Sequence, residues 1–503
     1  MIRTWNVARR SAVRSSFFRR PLGTLRERLL ALMLALFALP SLAAPVPAVT
    51  GPIAATAIPG SAVHDYPFFA TTHDLATERY VEQEFFVEGM ANRYATSPTA
   101  NATVVSSGNP YRTRVVVRRP ADQKDFNGIV VVEWTNVTNG FDAENVWFFA
   151  WEHFLRAGYA WVGVSAQRVG VDRLKSWSPS RYSALDVSNG GTITDDSLSY
   201  DIFTQVGQAL RSKSGNMLGN LRPKTYIATG ESQSASRLAT YANSVLPLDN
   251  VWDGMLLLSP FGSPMRTDLP LPIFKVMFEW DIETGEAAAR QPDTDRLHRW
   301  EVAGTAHVDH HLRLSREPLE LRDLAVSSEA VLAPQCGNPN IGSRVPNHYV
   351  VDAAFEQLAG WVQQGRRPPT SPLLQIASFG PGTSAQIARD AFEQAIGGIR
   401  LAQIEVPTAR NVGENTGPSA CARWGYSAPL DIATLASLYP THAGYVASVA
   451  RVTAENVRRG YLLQPDAVTT VLDALESRVG ARGGRGGPAR GNGGDARALE
   501  LLR

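Results

Sequence analysis

Continuous apolar runs alternate with amphipathic segments through the middle of the chain. Residues 128–134 (Gly-Ile-Val-Val-Val-Glu-Trp) are almost wholly apolar, which is typical of a strand buried on both faces of a mostly parallel sheet. Apolar positions at helical spacing then predict a helix from Glu144 to Arg156, and Tyr159–Ser165 is predicted to be the next strand. This alternation at βαβ spacing predicts an α/β fold.

The same patterns extend the predicted sheet in both directions. Before the central run, residues 81–87 and 112–117 are rich in β-forming residues and are predicted to be antiparallel edge strands. After it we expect a helix at 200–210 and a long amphipathic helix over 347–364, stopped by Gly365. Four further strands are predicted at residues 225–229, 253–258, 272–278 and 298–302.

The stretch around Ser232 joins a predicted strand to a predicted helix through Gly-Glu-Ser-Gln-Ser at residues 230–234. A Gly-x-Ser-x-small turn in this context is typical of a nucleophile elbow with the serine at its apex. The strained apex needs small residues two positions before and after it. These are Gly230 and Ser234, the latter a departure from the usual glycine. An ordinary strand-to-helix turn is the alternative interpretation.

An elbow serine needs a histidine base and a carboxylate to orient that base, in the chain order Ser, acid, His. His307 follows the last predicted strand in a loop opened by Gly304, from which it can reach the elbow. His310 and His311 are the competing bases. The three histidines also suggest a metal cluster, but a metal would leave Ser232 without a base, so neither a metal nor a cofactor is predicted.

Two carboxylates, Glu279 and Asp281, lie at the carboxyl end of the strand before the histidine. Catalytic groups collect at this edge of an open α/β sheet. Asp281 has the usual offset beyond the strand and is favoured, while Glu279, one pleat earlier, stays open as the alternative acid.

A tetrahedral intermediate needs two N–H groups aimed at its oxygen. The amide of Gln233, directly after the serine, is predicted to be one donor. The second is expected in the loop after the central strand, where Thr135 and Asn136 are the candidates; a plain turn is the alternative for both.

The first 43 residues differ in kind from the rest. Eight arginines and one glutamate accompany an eleven-residue apolar run at 29–39, followed by a small-x-small site at Ser41-Leu42-Ala43. This pattern predicts a secretory signal peptide over 1–43 and an exported protein, because the run is too short to span a bilayer. Its removal changes the formal charge from +2 to −5, so no nucleic-acid partner is indicated.

The two cysteines, Cys336 and Cys421, both lie in the predicted mature chain. In an oxidising compartment an even pair predicts a disulfide, with two separate buried thiols as the alternative.

Four regions are predicted along the chain. The signal peptide precedes a core over 44–330, and a C-terminal part over 331–477 completes the fold and forms a possible cap. Residues 478–503 are rich in Gly and Arg and predict a disordered tail.

Several dispersed motifs are similar to those of the exported bacterial "alpha/beta hydrolase domain" proteins. They are Gly-Glu-Ser-Gln-Ser at the elbow, Val-Glu-Trp-Thr-Asn-Val, Phe-Glu-Trp-Asp, Trp-Glu-Val-Ala-Gly-Thr-Ala-His, the helix end Trp-Val-Gln-Gln-Gly-Arg-Arg-Pro-Pro, and Gly-Gly-Ile-Arg. The resemblance covers about residues 60 to 475. It implies the α/β-hydrolase fold and a triad of Ser232, an acid and His307, without supplying a substrate.

The leading hypothesis is therefore a serine hydrolase that cleaves a small-molecule carboxylic ester through an acyl-enzyme. An amidase or peptidase with the same triad, or a non-catalytic binding protein that keeps the fold, are the alternatives. The sequence does not indicate which oligomeric state the protein has. No stable membrane insertion is expected after signal cleavage.

Overall fold

The fold was analysed in a computed structural model that describes residues 45–262 and 264–481. The predicted signal peptide, and residues 482–503 of the tail predicted over 478–503, lie outside the described residues. A nine-stranded sheet in the order β1-β2-β3-β5-β4-β6-β7-β8-β9 forms the centre. Its strands are β1 Ala48–Thr50, β2 Tyr80–Ala95, β3 Thr103–Pro120, β4 Ile129–Trp134, β5 Ala160–Val164, β6 Thr225–Glu231, β7 Gly254–Leu258, β8 Ile273–Met277 and β9 Leu297–Glu301.

Six of these strands, β4 to β9, run parallel to one another. Every residue in the six is buried, because helices cover both faces of such a sheet and leave no face for polar alternation. The predicted α/β-hydrolase fold, with a mostly parallel sheet flanked by helices, is confirmed.

The antiparallel part of the sheet is larger than the sequence predicts. Strands β2 and β3 pair over almost their whole lengths, from Tyr80 opposite Pro120 to Ala95 opposite Thr103. The first half of β3 is mostly exposed, so it lacks the apolar pattern that would have marked it as a strand. The prediction of β3 as an edge strand is wrong, since β3 pairs with both β2 and β5. On this side of the sheet the edge is β1, and β2, also predicted as an edge strand, lies between β1 and β3.

The helices follow the sequence prediction closely where an apolar stripe is present. The helix predicted at Glu144–Arg156 is observed one residue later, and its end at Gly158 has a φ of 76°, as a left-handed cap requires. The α-helices are α1 Asn145–Ala157, α2 Arg168–Trp177, α3 Pro179–Tyr182, α4 Ser199–Ser212, α5 Gln233–Ser244, α6 Glu279–Asp281, α7 His310–Leu324, α8 Ser328–Leu332, α9 Asn347–Gln364, α10 Ala402–Glu405, α11 Ser419–Ala422, α12 Ile432–Leu438, α13 His442–Arg458 and α14 Gln464–Glu476.

Beyond α9 the chain forms smaller units. Two antiparallel strand pairs, β10 Ile376–Phe379 with β11 Ala385–Ile387 and β12 Ala409–Val412 with β13 Tyr426–Pro429, precede the last helices. Helices α13 and α14 pack on each other around an apolar cluster of their own that includes Val449. The predicted division at 330 stays a prediction. Among the described residues no helix has the length and apolar character needed to cross a membrane.

Candidate active site

Ser232 lies at the sharp turn between β6 and α5. Its backbone has φ 58° and ψ −118°, a conformation that L-residues rarely adopt and that recurs where structure holds a functional side chain in place. A backbone hydrogen bond holds the turn to the neighbouring strand: the Ser232 N–H donates to the carbonyl of Leu258 at 2.8 Å. The side chain is therefore presented at the carboxyl edge of the parallel sheet.

The small residues on either side of the elbow have different reasons for being there. A Cβ at Gly230 would come within 3.0 Å of the backbone carbon of Ser234, so Gly230 has no room for a side chain. Ser234, in contrast, fits because its hydroxyl accepts from the Glu231 N–H at 3.1 Å and donates to the Glu231 carbonyl at 3.0 Å. The departure from glycine thus supplies hydrogen bonds to the end of β6.

His307 lies between Ser232 and a carboxylate. Its Nε2 is 2.7 Å from Ser232 Oγ, and its Nδ1 is 2.7 Å from Asp281 Oδ1. The other carboxylate oxygen of Asp281 accepts from the Phe278 N–H at 2.9 Å, which helps to hold the carboxylate in place. All three side chains are buried. The structure therefore brings Ser232, His307 and Asp281 into one hydrogen-bonded chain with the histidine in the middle. Along the sequence the three follow the predicted order Ser, acid, His.

Glu279, the alternative acid, is directed away from the imidazole. Its Oε2 accepts from the Gly304 N–H at 2.7 Å and its Oε1 pairs with Arg389. Its own amide donates to the Thr305 carbonyl at 3.1 Å. The alternative that Glu279 is the partner of His307 is wrong: β8 ends before it, so the two carboxylates do not share a pleat, and Glu279 supports the backbone of the histidine loop instead.

The two competing histidines also face elsewhere. His310 Nδ1 lies 2.7 Å from Arg313 Nη2, and His311 stacks on His348 with ring centroids 3.7 Å apart. Burial lowers the pKa of both imidazoles to about 4, helped by neighbouring cationic groups. Within the residues that the structure describes, no group of three or more His, Cys, Asp or Glu side chains is arranged to hold a metal ion.

Glu231, to which the sequence analysis assigns no role, faces the same histidine. Its Oε1 lies 3.4 Å from His307 Nε2, and its Oε2 accepts from the side-chain amides of Asn145 at 2.7 Å and Asn136 at 3.2 Å. Burial raises the pKa of this carboxyl, and the charge of His307 and the Asn145 amide oppose that rise. Its position directly before the nucleophile was the available signal, because a residue there must lie beside the apex.

The pKa of His307 is the result of opposing effects. Burial lowers it, but the carboxylates of Asp281 and Glu231 favour the protonated ring and outweigh burial, so the net pKa is above the ordinary value of 6.5. The imidazole is thus poised to take a proton, as a general base must be.

The predicted oxyanion donors have different outcomes. Gln233 begins α5, so its N–H is one of those the helix leaves without an internal partner. The amides of Thr135 and Asn136 are already engaged, with the carbonyls of Val164 at 3.3 Å and Ala143 at 2.9 Å. The prediction that either amide is a free donor is therefore wrong. The next amide, of Val137, makes only a long 3.4 Å contact with the Gln233 side chain.

A cavity of about 270 Å³ opens beside Ser232 and His307. One wall is polar and contains Asn136, Asn139 and Asn145. The lining also includes residues of two segments beyond the sheet, one around α8 and one in and just after α11. A disulfide joins Cys336 to Cys421 within an apolar cluster that also contains Trp424 and Leu332, so it ties these two segments together. The lining includes no residue of α12 to α14 among the described residues.

A mostly parallel sheet with a serine elbow at its carboxyl edge, a histidine after the last strand and an acid after the strand before it defines the α/β-hydrolase class. The family described as "Alpha/beta hydrolase domain" matches residues 49–471. The chain belongs to this family.

Solved structures give more distant similarities. They include a serine hydrolase without lid from Xanthomonas campestris (14% identity, covering 46% of this chain and 93% of that chain, TM-score 0.27), Est1E from Butyrivibrio proteoclasticus (12%, 43% and 96%, TM-score 0.24) and a glucuronoyl esterase from Solibacter usitatus (8%, 44% and 76%, TM-score 0.25). Similarity at this level says nothing about which substrate this chain takes. Comparison with curated proteins finds no match.

Proposed function

We propose that the protein is a serine hydrolase that cleaves a carboxylic ester through an acyl-enzyme on Ser232. The observation that carries the proposal is the chain of two 2.7 Å contacts from Ser232 Oγ to His307 and from His307 to Asp281. A serine hydroxyl is a weak nucleophile, and this arrangement supplies the base that activates it and the carboxylate that orients the base.

In acylation, Ser232 Oγ attacks the ester carbonyl while His307 Nε2 takes its proton. Asp281 accepts from Nδ1, which keeps Nε2 unprotonated in the resting enzyme, and its charge stabilises the imidazolium that forms. His307 then gives the proton to the departing alkoxide oxygen, and an alcohol leaves. In deacylation, His307 takes a proton from water, the resulting hydroxide attacks the acyl carbonyl, and the Ser232 oxygen leaves and takes back the proton.

The oxygen that becomes negative in each step needs donors. The Gln233 N–H is the first that we propose. In place of Thr135 and Asn136 we propose the Val137 N–H as the second, because its long contact with the Gln233 side chain is easily exchanged for a shorter bond to an anion. Each such donor is worth about 3 kcal/mol of transition-state stabilisation.

Labelling with a fluorophosphonate probe tests the proposed hydrolase against the alternative of a non-catalytic binding protein. We expect covalent labelling at Ser232, located by peptide mass mapping, and no labelling of Ser232→Ala. The matched control is Ser236→Ala, one helical turn into α5, where the hydroxyl donates to the Ser232 carbonyl at 3.0 Å; it should still be labelled. Folded wild-type protein that stays unlabelled would favour the non-catalytic alternative.

The esterase and amidase hypotheses share the same triad and differ in the leaving group of the substrate. A short p-nitrophenyl ester and the matching anilide separate them, and we expect turnover of the ester with little of the anilide. Efficient cleavage of the anilide would instead support the amidase alternative.

Export remains part of the proposal. We propose that residues 1–43 are removed and that the mature enzyme works outside the cytoplasm on a small-molecule ester. N-terminal sequencing of the protein from its native host tests this, with a new terminus at residue 44 as the expected result and an intact residue 1 as the contrary one.

A further inference from the structure

The cavity beside Ser232 contains two arginines that the proposed reaction does not use. Arg316, on α7, and Arg423, just after α11, both line it. Both are close enough to the active site for their charges to act on it, that of Arg316 on Glu231 and that of Arg423 on His307. The proposed mechanism needs a base, an acid and amide donors, and none of these roles belongs to a guanidinium here.

Arg316 is a buried cation with unused hydrogen-bonding capacity. Its side chain is only 5% exposed. Its Nε lies 2.9 Å from Glu320 Oε1, but the geometry makes no hydrogen bond. Its two terminal nitrogens, unlike Nε, are not among the buried atoms that lack a partner, and the residue lines the cavity. A ligand in the cavity can therefore reach them, and a charged acceptor would bond them more strongly than a neutral one.

Arg423 adds a second positive charge to the lining of the cavity. It is half-buried, and in the described part of the chain its guanidinium has no ion-pair partner. Its carbonyl accepts from the Val308 N–H at 2.8 Å, which fixes its backbone next to His307. Its charge is felt there, since it is one of the effects that lower the pKa of His307 against the rise due to Asp281.

Glu320 offsets part of the charge of Arg316, since its Oε1 lies 2.9 Å from Arg316 Nε. Other cations are near: burial together with the charge of Arg344 lowers the pKa of Arg313 to about 10, and Arg316 also acts on Arg313. Glu329 pairs with Arg313. The carboxylate within the lining is that of Glu231, and its oxygens face His307 and two asparagine amides, as described above. An anion in the cavity would therefore meet the terminal nitrogens of Arg316 and the guanidinium of Arg423, while Glu320 stays on Arg316 Nε and Glu231 is close enough to feel the charge of Arg316.

We propose that the natural substrate is an ester that carries a carboxylate, held by Arg316 and Arg423. The inference rests on the proposed hydrolase function and names its substrate class. A guanidinium fork matches a carboxylate with two parallel N–H···O bonds, and the two terminal nitrogens of Arg316 are free to form them. The polar wall of asparagines suits the remaining polar atoms of such a substrate.

Matched ester pairs test the preference. One pair places the charge on the acyl side, 4-nitrophenyl hydrogen glutarate against 4-nitrophenyl pentanoate. The other places it on the alcohol side, the butyrate ester of 4-hydroxybenzoate against that of 4-methylphenol. We expect a higher kcat/KM for the anionic member of at least one pair. A neutral preference in both pairs overturns the inference and leaves ester hydrolysis itself standing.

Arginine substitutions locate the preference. Arg423→Met should lower kcat/KM for the preferred anion by about 10- to 100-fold more than for the neutral ester, the value of a charged hydrogen bond; both esters are compared on the pH plateau because Arg423 also acts on His307. Arg316→Met should do the same, but it also leaves Glu320 without its cation, so Arg423→Met is the decisive variant. The control is Arg367→Met, whose partner Asp295 is 89% exposed. Equal losses for the neutral and anionic esters would contradict the proposal.

Binding without turnover separates this inference from the proposed function. Calorimetry on Ser232→Ala with each pair should give the lower Kd for the anionic member. Equal or weaker binding of the anion overturns the carboxylate site whether or not the wild-type protein hydrolyses either ester. Tighter binding of the anion together with an unlabelled, inactive wild type would support the site and overturn the hydrolase.

Discussion

Glu231 Oε1 lies 3.4 Å from His307 Nε2, on the same nitrogen that contacts the Ser232 hydroxyl. The elbow therefore carries its own carboxylate into the site, one residue before the serine. When His307 takes the serine proton, this carboxylate and that of Asp281 lie on opposite sides of the positive ring. We expect Glu231 to stabilise the imidazolium and to act as a positioning residue.

This arrangement predicts a shifted pH profile. Activity needs neutral His307, so it falls as the pH drops through the pKa of the ring; because the net pKa is raised, the acidic limb of kcat/KM should lie above pH 6.5. Glu231→Gln removes one charge that raises this pKa, so the limb should move to lower pH and kcat on the plateau should fall.

Glu279→Gln is the control for that profile, because the Glu279 carboxylate is bonded to Gly304 and Arg389 and not to the ring. Its acidic limb should stay where the wild type has it. A Glu231→Gln limb at the wild-type position or higher would show that Glu231 does not act on His307.

Substitution of the nucleophile and of the base should give equivalent losses. Ser232→Ala and His307→Ala should each remove nearly all ester hydrolysis, and the double variant should lose little more, because the two groups transfer one proton as a unit. Initial rates on a p-nitrophenyl ester measure this, and circular dichroism checks the fold. Residual activity near the wild-type level in Ser232→Ala would contradict the proposed mechanism at its first step.

The two neighbouring carboxylates should respond in opposite ways. Asp281→Asn should lower kcat by about 10⁴-fold with little change in stability, because it leaves the wrong tautomer of His307. Glu279→Gln should retain most of kcat but lower the free energy of unfolding by about 1–2 kcal/mol, since Arg389 loses its nearer carboxylate and keeps Glu283 at 3.4 Å. Kinetics and denaturant unfolding on the same two variants distinguish them; a large kcat loss in Glu279→Gln alone would exchange the two roles.

We expect loss of the disulfide to lower the free energy of unfolding while changing the reactivity of Ser232 little. It closes a loop with a sequence separation of 85, for which chain entropy gives about 4 kcal/mol. The Cys336→Ser, Cys421→Ser double variant should unfold at a correspondingly lower denaturant concentration. Wild-type protein unfolded in the presence of a reductant should match it, and a double variant as stable as oxidised wild type would contradict this expectation.

The parts of the fold and site that the sequence predicts are those with strong local signals. Strands β4, β5 and β7 are short and almost wholly apolar, whereas β9 contains His298, Arg299 and Glu301. The elbow, His307 and Asp281 follow from the chain order of the predicted strands. The sequence could not decide whether Glu279 or Asp281 is the partner of His307. The two are only two residues apart, and the choice depends on where β8 ends and α6 begins.

Contacts between segments that lie far apart along the chain could not be predicted from the sequence. The Thr135 and Asn136 amides looked available because the carbonyls that engage them belong to Val164 and Ala143, which only the folded sheet and loop bring near. Arg316 and Arg423 are ordinary arginines in the sequence, and it is the packing of α7 and of the segment after α11 that places them in one cavity.

The position of the disulfide has a practical consequence for any preparation of this protein. The bond lies between the two segments that hold Leu332 and Trp424 against the cavity, whereas Ser232 and His307 are held by the sheet. Protein made in a reducing cytoplasm should therefore react with an active-site probe as completely as oxidised protein, yet discriminate less sharply among esters. Two batches with identical sequence and identical titrated active sites could then be recorded as enzymes of different selectivity, so the thiol content belongs beside every substrate profile.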